Sequence, residues 1–433
     1  MRNAAERGPR KAALIFVFIT VALDIIALGV IAPVFVPLVE GFMHENIVAA
    51  AGVVGVFGTV FALMQFVWAP VLGVLSDRFG RRPIIVLSNL GMGVDYAVMA
   101  LAPNLIWLLL GRVVSGITSA TATASSAYIA DVTPADKRAG AFGMIGAAFG
   151  VGFVLGPAIG GLCGQVNPRL PFWVAGALCL LNGIYGAFVL PESLAPEHRA
   201  VRFLWSKANP VSALRLMQRH RDLTSLGLVT FASTLAGIAM QSTWVLYVTG
   251  RYGWKPGATG VSLAVIGICS SVSQIVVIGP YVKRYGERAA LFGGIAFGVL
   301  GLVIFGSAGN GWWFAIGIIP LCLWGLAPAA AQAIMTRRVS PREQGELQGA
   351  IASIRGLSAV FGPAIFTTAF AIGIAHGVPG ANWYIAALIL CASVLPVLRE
   401  RPTAEPTTAP AMDLEAATDP MMLAAEEASE VTI

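Results

Sequence analysis

Charge is what this sequence has least of. Only 12% of its 433 residues are Asp, Glu, Lys or Arg, against about 25% in an ordinary soluble chain. That deficit suits a chain in lipid, where each charge at the centre of a span costs roughly 2.5–3.5 kcal/mol on insertion scales. The four histidines (His44, His198, His220, His376) all fall outside the long apolar runs. The five cysteines (Cys163, Cys179, Cys269, Cys322, Cys391) all fall inside them, with no metal-ligand spacing and no disulfide framework, and read as small core residues. There is no Ser/His/Asp set, no metal cluster and no nucleotide-binding loop, so an enzyme is not expected, nor a resident metal or cofactor. The net charge of +6 is scattered among short loops rather than gathered on one face, which argues against nucleic acid. Acids are scarcest late in the chain. Between Asp222 and Glu400 only Glu287, Glu343 and Glu346 occur, all in loops or at helix ends.

What remains is apolar: 57% hydrophobic residues and 49 glycines. Twelve runs read as membrane helices, over about 12–38, 48–75, 83–102, 105–130, 138–164, 170–190, 223–249, 258–282, 288–308, 311–336, 346–375 and 381–398. Each is near or above the roughly 20 residues that span the hydrocarbon core, and glycine and proline inside them are tolerated there. The first run follows a basic start but is too long for a signal peptide. Lysine and arginine fix the orientation. With the N-terminus inside, 23 of the 28 face the cytoplasm, three face outward and two, Arg112 and Arg355, lie within spans. The expectation is an all-α membrane protein of an inner or plasma membrane, multi-pass, with both termini cytoplasmic. Residues 1–11 form a cytoplasmic start, 12–190 one six-helix half, 191–222 a central loop, 223–398 a second half, and 399–433 a tail whose composition reads as disordered.

The most specific stretch is Gly73 to Pro83, GVLSDRFGRRP, which packs Asp77, Arg78, Arg81 and Arg82 into a Gly-bounded turn between two apolar runs. It repeats 206 residues later as GPYVKRYGER, where Gly73, Arg78, Gly80 and Arg82 recur as Gly279, Arg284, Gly286 and Arg288. Gly156-Pro-Ala-Ile recurs at the same interval as Gly362-Pro-Ala-Ile, and Val132-Thr-Pro-Ala-Asp reappears as Val339-Ser-Pro-Arg-Glu. The two halves are therefore parallel repeats, an architecture that places a substrate site between them near the midplane.

Three charged residues lie inside the first half: Asp24, Asp95 and Arg112. At ~1.5 Å per residue both acids sit about 18–20 Å deep, where a carboxylate is costly unless paired, hydrated or protonated. They read as proton-exchange sites or as a structural set, the acids hydrogen-bonded or paired with Arg112. In the second half Arg355 is the buried charge, placed in the central cavity, paired with an acid of the first half such as Asp24, or snorkelling to the surface. Gln65, Gln241, Gln274 and Gln332 are its polar companions. The fifth span carries Gly152, Gly156, Pro157, Gly160 and Gly161, small residues at a spacing that lets a neighbouring helix approach closely.

GVLSDRFGRRP resembles the signature loop between helices 2 and 3 of the major facilitator superfamily of twelve-helix transporters. GxxxGPxxGG in span 5 resembles the motif of that family's antiporters, thought to prevent a leak between the halves. VALD, QFVWAPVLGVLSDRFGRRP, VDYAVMA, GRVVSGIT, AYIAD, FVLGPAIGG, PES and ELQG together resemble the tetracycline/proton antiporter branch over roughly residues 12–398. The resemblance implies a proton-coupled antiporter that exports a small organic molecule, with a metabolite symporter or uniporter as the alternative and a monomer expected. It assigns proton coupling to Asp24, Asp95 and Arg112, and a gate to Gly73, Asp77, Arg78, Gly80 and Arg81, whose basic residues also serve as topology signals. Gln65, Gln274 and Gln332 match polar positions lining the central cavity; Arg355 has no basic counterpart in the exporters of that branch, and its place in the cavity rests on its own position in the span. Where tetracycline exporters carry a helix-8 histidine and a helix-9 aspartate, this chain has Ser270 and Phe297–Gly298, so tetracycline is expected to be a poor substrate.

Overall fold

The computed structural model describes residues 7–44, 46–119, 121–133, 138–195, 197, 199, 221–340 and 343–399, and these contain no strand. Residues 201–220 of the central loop and the tail from 400 onward lie outside the described residues, and with them the expectation of a disordered tail. The first half holds α1 (Arg7–Phe42), α2 (Ile47–Phe79), α3 (Arg81–Leu101), α4 (Leu105–Val132), α5 (Arg138–Val166) and α6 (Leu170–Val189). The second half begins with α7 (Arg221–Tyr252), α8 (256–285) and α9 (287–307). It ends with α10 (Gly311–Arg337), α11 (Gln344–Ala375) and α12 (Ala381–Leu398).

The division of α8 from α9 rests on one glycine. Pro256–Ser307 is a single apolar stretch of 52 residues, about 78 Å long as a straight helix and more than twice the ~30 Å hydrocarbon core. It turns at Gly286 (φ 80°, ψ 166°), so the stretch crosses twice. Gly80, 206 residues earlier, makes the same turn between α2 and α3 with φ 106°. A positive φ of this kind is open to glycine and strained for other residues. The helix starts repeat as well: Asn104 and Asn310 cap α4 and α10 with side-chain oxygens that accept from the first-turn amides.

The sequence reading missed the breaks inside helices. α4 is interrupted after Thr118, and α10 is divided at Gly317 and again at Trp324–Gly325, on either side of Pro320. Ser273–Ile278 of α8 forms a π turn, a register that periodicity alone does not reveal.

Within the first half α1 packs on α5 and α6, and α3 on α6; in the second, α7 packs on α11, and α9 on α10 and α12. The second half is centred on buried rings, Trp244, Tyr247, Phe305, Phe314 and Trp383. Trp244 donates from its indole to Ser262 at 3.0 Å and Tyr247 from its hydroxyl to the Phe305 carbonyl at 3.1 Å, which satisfies their polar ends.

The halves meet through α2 against α11 and α5 against α8. The close approaches at glycine pair Gly55 with Thr367, Gly58 with Pro363, Gly356 with Phe66, Gly260 with Gly161 and Gly267 with Phe153. They run from the end with the α1–α2 and α7–α8 turns to about the middle of the helices. On α11, Gly362, Phe366 and Phe370 are buried, while Gln348, Ala352 and Arg355, on the same face nearer the helix start, are exposed. These close approaches between the halves are thus gathered toward the end with the α1–α2 and α7–α8 turns.

The tightest approach is α1 on α5. A Cβ added to Gly156 would lie 2.7 Å from the Gly29 Cα, and one at Gly160 would run into the Val30 carbonyl, so backbone would have to move. Gly143, earlier in α5, has nothing within 4 Å of that position. Gly156→Ala is therefore expected to lower the melting temperature and yield of detergent-solubilised protein, by about 1–3 kcal/mol of overpacking. Gly143→Ala should leave both unchanged; equal melting temperatures for the two variants would refute this packing account.

Candidate functional site

Asp24 on α1 is 8% exposed and points into its own half. Its Oδ1 accepts from Asn182 Nδ2 of α6 at 2.8 Å. The same amide nitrogen lies 2.9 Å from the Thr20 carbonyl and 3.1 Å from Asn89 Oδ1 of α3, and Asn89 in turn donates to the Ile85 carbonyl. Asp24 Oδ2 is buried without a hydrogen-bond partner. Asp95, 3% exposed on α3, accepts from the Ser115 hydroxyl of α4 with Oδ2, and its Oδ1 is likewise buried and unpartnered. A carboxylate offers about four acceptor positions. Each acid therefore keeps one oxygen free.

Arg112 on α4 does not form the ion pair with an acid that was one of the two readings of this set. Its guanidinium carbon lies 4.8 Å from the Phe35 ring centre and 5.5 Å from that of Phe61, a cation held by two π faces. One of its nitrogens approaches Met99 Sδ at 3.6 Å, and its Nε is buried without a partner. Arg355 also remains apart from Asp24, which is committed to Asn182. It is exposed on α11, in the part of the helix nearer its start. Gln65 and Gln332 are half-buried and Gln274, in the π turn, is exposed. Ser270 turns its hydroxyl to Cys322 Sγ at 3.5 Å, inside its own half.

A second cluster closes the ends of α2, α4 and α6. Arg81, at the start of α3, reaches Asp77 Oδ1 at 2.5 Å, Ser76 Oγ at 3.1 Å and Asp131 Oδ2 at 3.1 Å. Its backbone N–H donates to Glu192 Oε1 at 2.8 Å, and Ser193 donates to Asp131 at 3.0 Å. Arg82 donates to the Ala187 carbonyl of α6. Arg78 is exposed and lies over the Phe79 ring, outside the cluster. Gly73 has no neighbour within 4 Å of where a Cβ would sit. The sequence reading named neither Asp131 nor Glu192 as site residues, nor Ser115, Asn89 and Asn182. The first two stand inside AYIAD and PES, so the signal was present without a role. In the other half Glu287 binds Arg337 at 2.8 Å. These two are the residues 206 positions after Arg81 and Asp131, with the charges reversed; Asp77 likewise corresponds to Lys283.

The α5 glycines bridge the halves. Gly152, Gly156 and Gly160 abut α1 at Ile25, Gly29 and Val30. On its other side, α5 meets α8, where the Pro157 carbonyl and Gly161 close on Gly260.

A model of the Major Facilitator Superfamily matches residues 17–363. The tetracycline resistance protein, class C, of Escherichia coli is 40% identical over 387 residues, 89% of this chain and 96% of that protein. The class G protein of Vibrio anguillarum is 37% identical over 392 residues, 90% and 98% of the two chains. Among solved structures, the human organic anion transporter MFSD10 (TETRAN) aligns with a TM-score of 0.69 at 22% identity, covering 90% of this chain and 99% of that one. The nucleoside transporter NupG aligns with a TM-score of 0.71 at 12% identity, covering 91% and 100%. At these identities the two structures speak to the fold alone.

The arginine cluster yields a stability test. Arg81→Ala removes charge-assisted bonds to Asp77 and Asp131 from a mostly buried side chain, so the melting midpoint should fall by about 2–6 °C. Arg78→Ala, at an exposed position, should stay within about 1 °C of the parent. Equal shifts would mean that Arg81 does not tie the helix ends together.

Proposed function

Because the chain belongs to the Major Facilitator Superfamily, we propose that its two halves rock about the α2–α11 and α5–α8 contacts, exposing a central site to one side of the membrane at a time. On this reading the chain is a proton-coupled antiporter that exports a small organic molecule from the cytoplasm. One observation carries the coupling: Asp24 and Asp95 are buried carboxyls, each with an oxygen that has no partner. Among the described residues the second half has no acid in a helix interior, so the proton is carried by the first half. Protonation removes the charge of a carboxyl that is costly to bury, and the half that holds it then moves more readily. Such acids also serve a symporter or uniporter. The glycine ridge of α5, seated on α1 and α8 together, favours export because it seals the seam between the halves.

The basic loops face the cytoplasm of an inner or plasma membrane, so the close approaches between the halves lie toward the outer side, which makes this conformation inward-facing, and the working unit is a single chain. Closing the cytoplasmic side brings the end of α2 to the start of α11. The space beside Gly73 admits that helix, and Asp77 exchanges part of its bonding to Arg81 for the N-terminal amides of α11. Gln65, Gln274, Gln332 and Arg355 line the site on this reading, and a cation in the second half favours anionic or zwitterionic substrates. Arg112, held between Phe35 and Phe61, supplies positive charge near Asp95 in the first half.

The relatives named for tetracycline resistance make that drug the first compound to try. It should be carried poorly. Ser270 is turned to Cys322, and Phe297–Gly298 offers no carboxylate, so the partners that the resemblance sets at these two positions are missing. Expression in a sensitive host should raise tolerance to tetracycline little or not at all; full resistance at native-like expression would overturn this.

The proton sites are tested by substrate exchange in everted vesicles as external pH is varied, with a dye panel to find a transported compound. Asp24→Asn should abolish the pH dependence of exchange more completely than Asp95→Asn, because Asp24 is tied to both α3 and α6 and Asp95 only to α4. Persistence of that dependence in both variants and in their double would place the proton elsewhere.

A further inference from the structure

Asn182 lies in the interior of α6, is 1% exposed, and belongs to none of the motifs that mark the proton sites or the gate. Its side-chain nitrogen has two protons and three acceptors in reach: Asp24 Oδ1 at 2.8 Å, the Thr20 carbonyl at 2.9 Å and Asn89 Oδ1 at 3.1 Å. Its own Oδ1 is buried without a partner. A buried amide in this position is costly unless it is used, since either end left unsatisfied gives up its hydrogen bonds to water for nothing. Three helices converge on it: α1 through Asp24 and Thr20, α3 through Asn89, and α6 through its own backbone.

We infer that Asn182 is the positioning residue for Asp24: its amide holds the ionised carboxylate by donation, fixes it between α1, α3 and α6, and thereby sets the pH at which Asp24 takes up a proton. An amide suits both charge states. Against the carboxylate it donates through Nδ2. Turned about its last side-chain bond, it presents Oδ1 to the proton of the neutral acid. Loss of the amide leaves the carboxylate without its strongest donor and makes the neutral form easier to hold. The titratable groups that share this space are Tyr96 and Asp95 of α3 and Cys179 of α6. Thr121 of α4 lies beside the same carboxyl without titrating, and α5 meets α1 here with Gly152 against Ile25. Asn89 supports the arrangement from α3, its own amide anchored on the Ile85 carbonyl.

This inference rests on the reading of Asp24 as a proton site, so the test uses a readout that does not require transport. The protonated carboxyl stretch of Asp24 is followed by infrared difference spectroscopy of the full-length protein in lipid as pH is stepped. The band belonging to Asp24 is the one lost in Asp24→Asn. Asn182→Leu, with the same branching and number of side-chain heavy atoms but no hydrogen bonds, should move the midpoint of that band upward by about one pH unit. Asn182→Ser, which keeps a hydroxyl donor, should move it less, and Asn89→Leu should shift it in the same direction by a smaller amount. If Asn182→Leu does not accumulate, Asn182→Ala replaces it in the same comparison. An unchanged midpoint in whichever of these two variants is folded overturns the inference. So does an equal shift in the Ser and apolar variants, because donation would then be irrelevant. A midpoint that moves while the pH profile of exchange stays put would instead refute the coupling role of Asp24 and leave the positioning role standing.

Discussion

The approach of α1 to α5 at Gly29 and Gly156 is the constraint from which most of the architecture follows. Two helix backbones come so near that a single methyl group would force one of them to move. In lipid no hydrophobic effect drives helices together, and packing at small residues takes its place. With α1 seated on one side of α5, the other side is free to meet α8, and so one helix carries both the integrity of its own half and the seam to the other. The residues that pack the half and those that meet the other half are here neighbours on one helix.

Much of this was legible in the chain. The scarcity of charge, the twelve apolar runs and the 206-residue repeat gave the crossings, and their ends agree with the structure to within a few residues. Gly80 and Gly286 were visible as loop punctuation, and both prove to need a positive φ. The internal breaks were not legible. Gly317 and Ser273–Ile278 change the path of a helix without changing its composition, and a hydropathy window cannot see that. Partnerships were the hardest to read. A buried acid announces itself in a sequence by its cost, but here the partners are a neutral amide and a hydroxyl rather than a base. Asp24 was read against Arg355 and Arg112 because charges are conspicuous, and it is bound by Asn182. An asparagine in an apolar run looks like one more polar companion until three helices are folded around it.

The halves are repeats in backbone and opposites in chemistry. Both acids with free oxygens lie in the first half, while the second has a close-packed aromatic core and an exposed arginine on α11. The buried acids are thus gathered in one half and the close-packed rings in the other.

The reversed ion pairs at the two loop ends bear on how a chain of two repeats differs from a pair of identical subunits. Arg81 and Asp131 stand where Glu287 and Arg337 stand in the other half, and Asp77 stands where Lys283 does. In a homodimer built of one six-helix unit, isologous symmetry would set like charge against like charge across the axis at every such position. Fusion of the units into one polypeptide lifts that restriction. At these three positions each charge now has its opposite across the pseudo-axis, and the sum is zero where a symmetric dimer would double it. What the fold asks of the site is a pair, and which member is the acid is left open: the two loops keep the same net positive charge while the order of acid and base within each is exchanged.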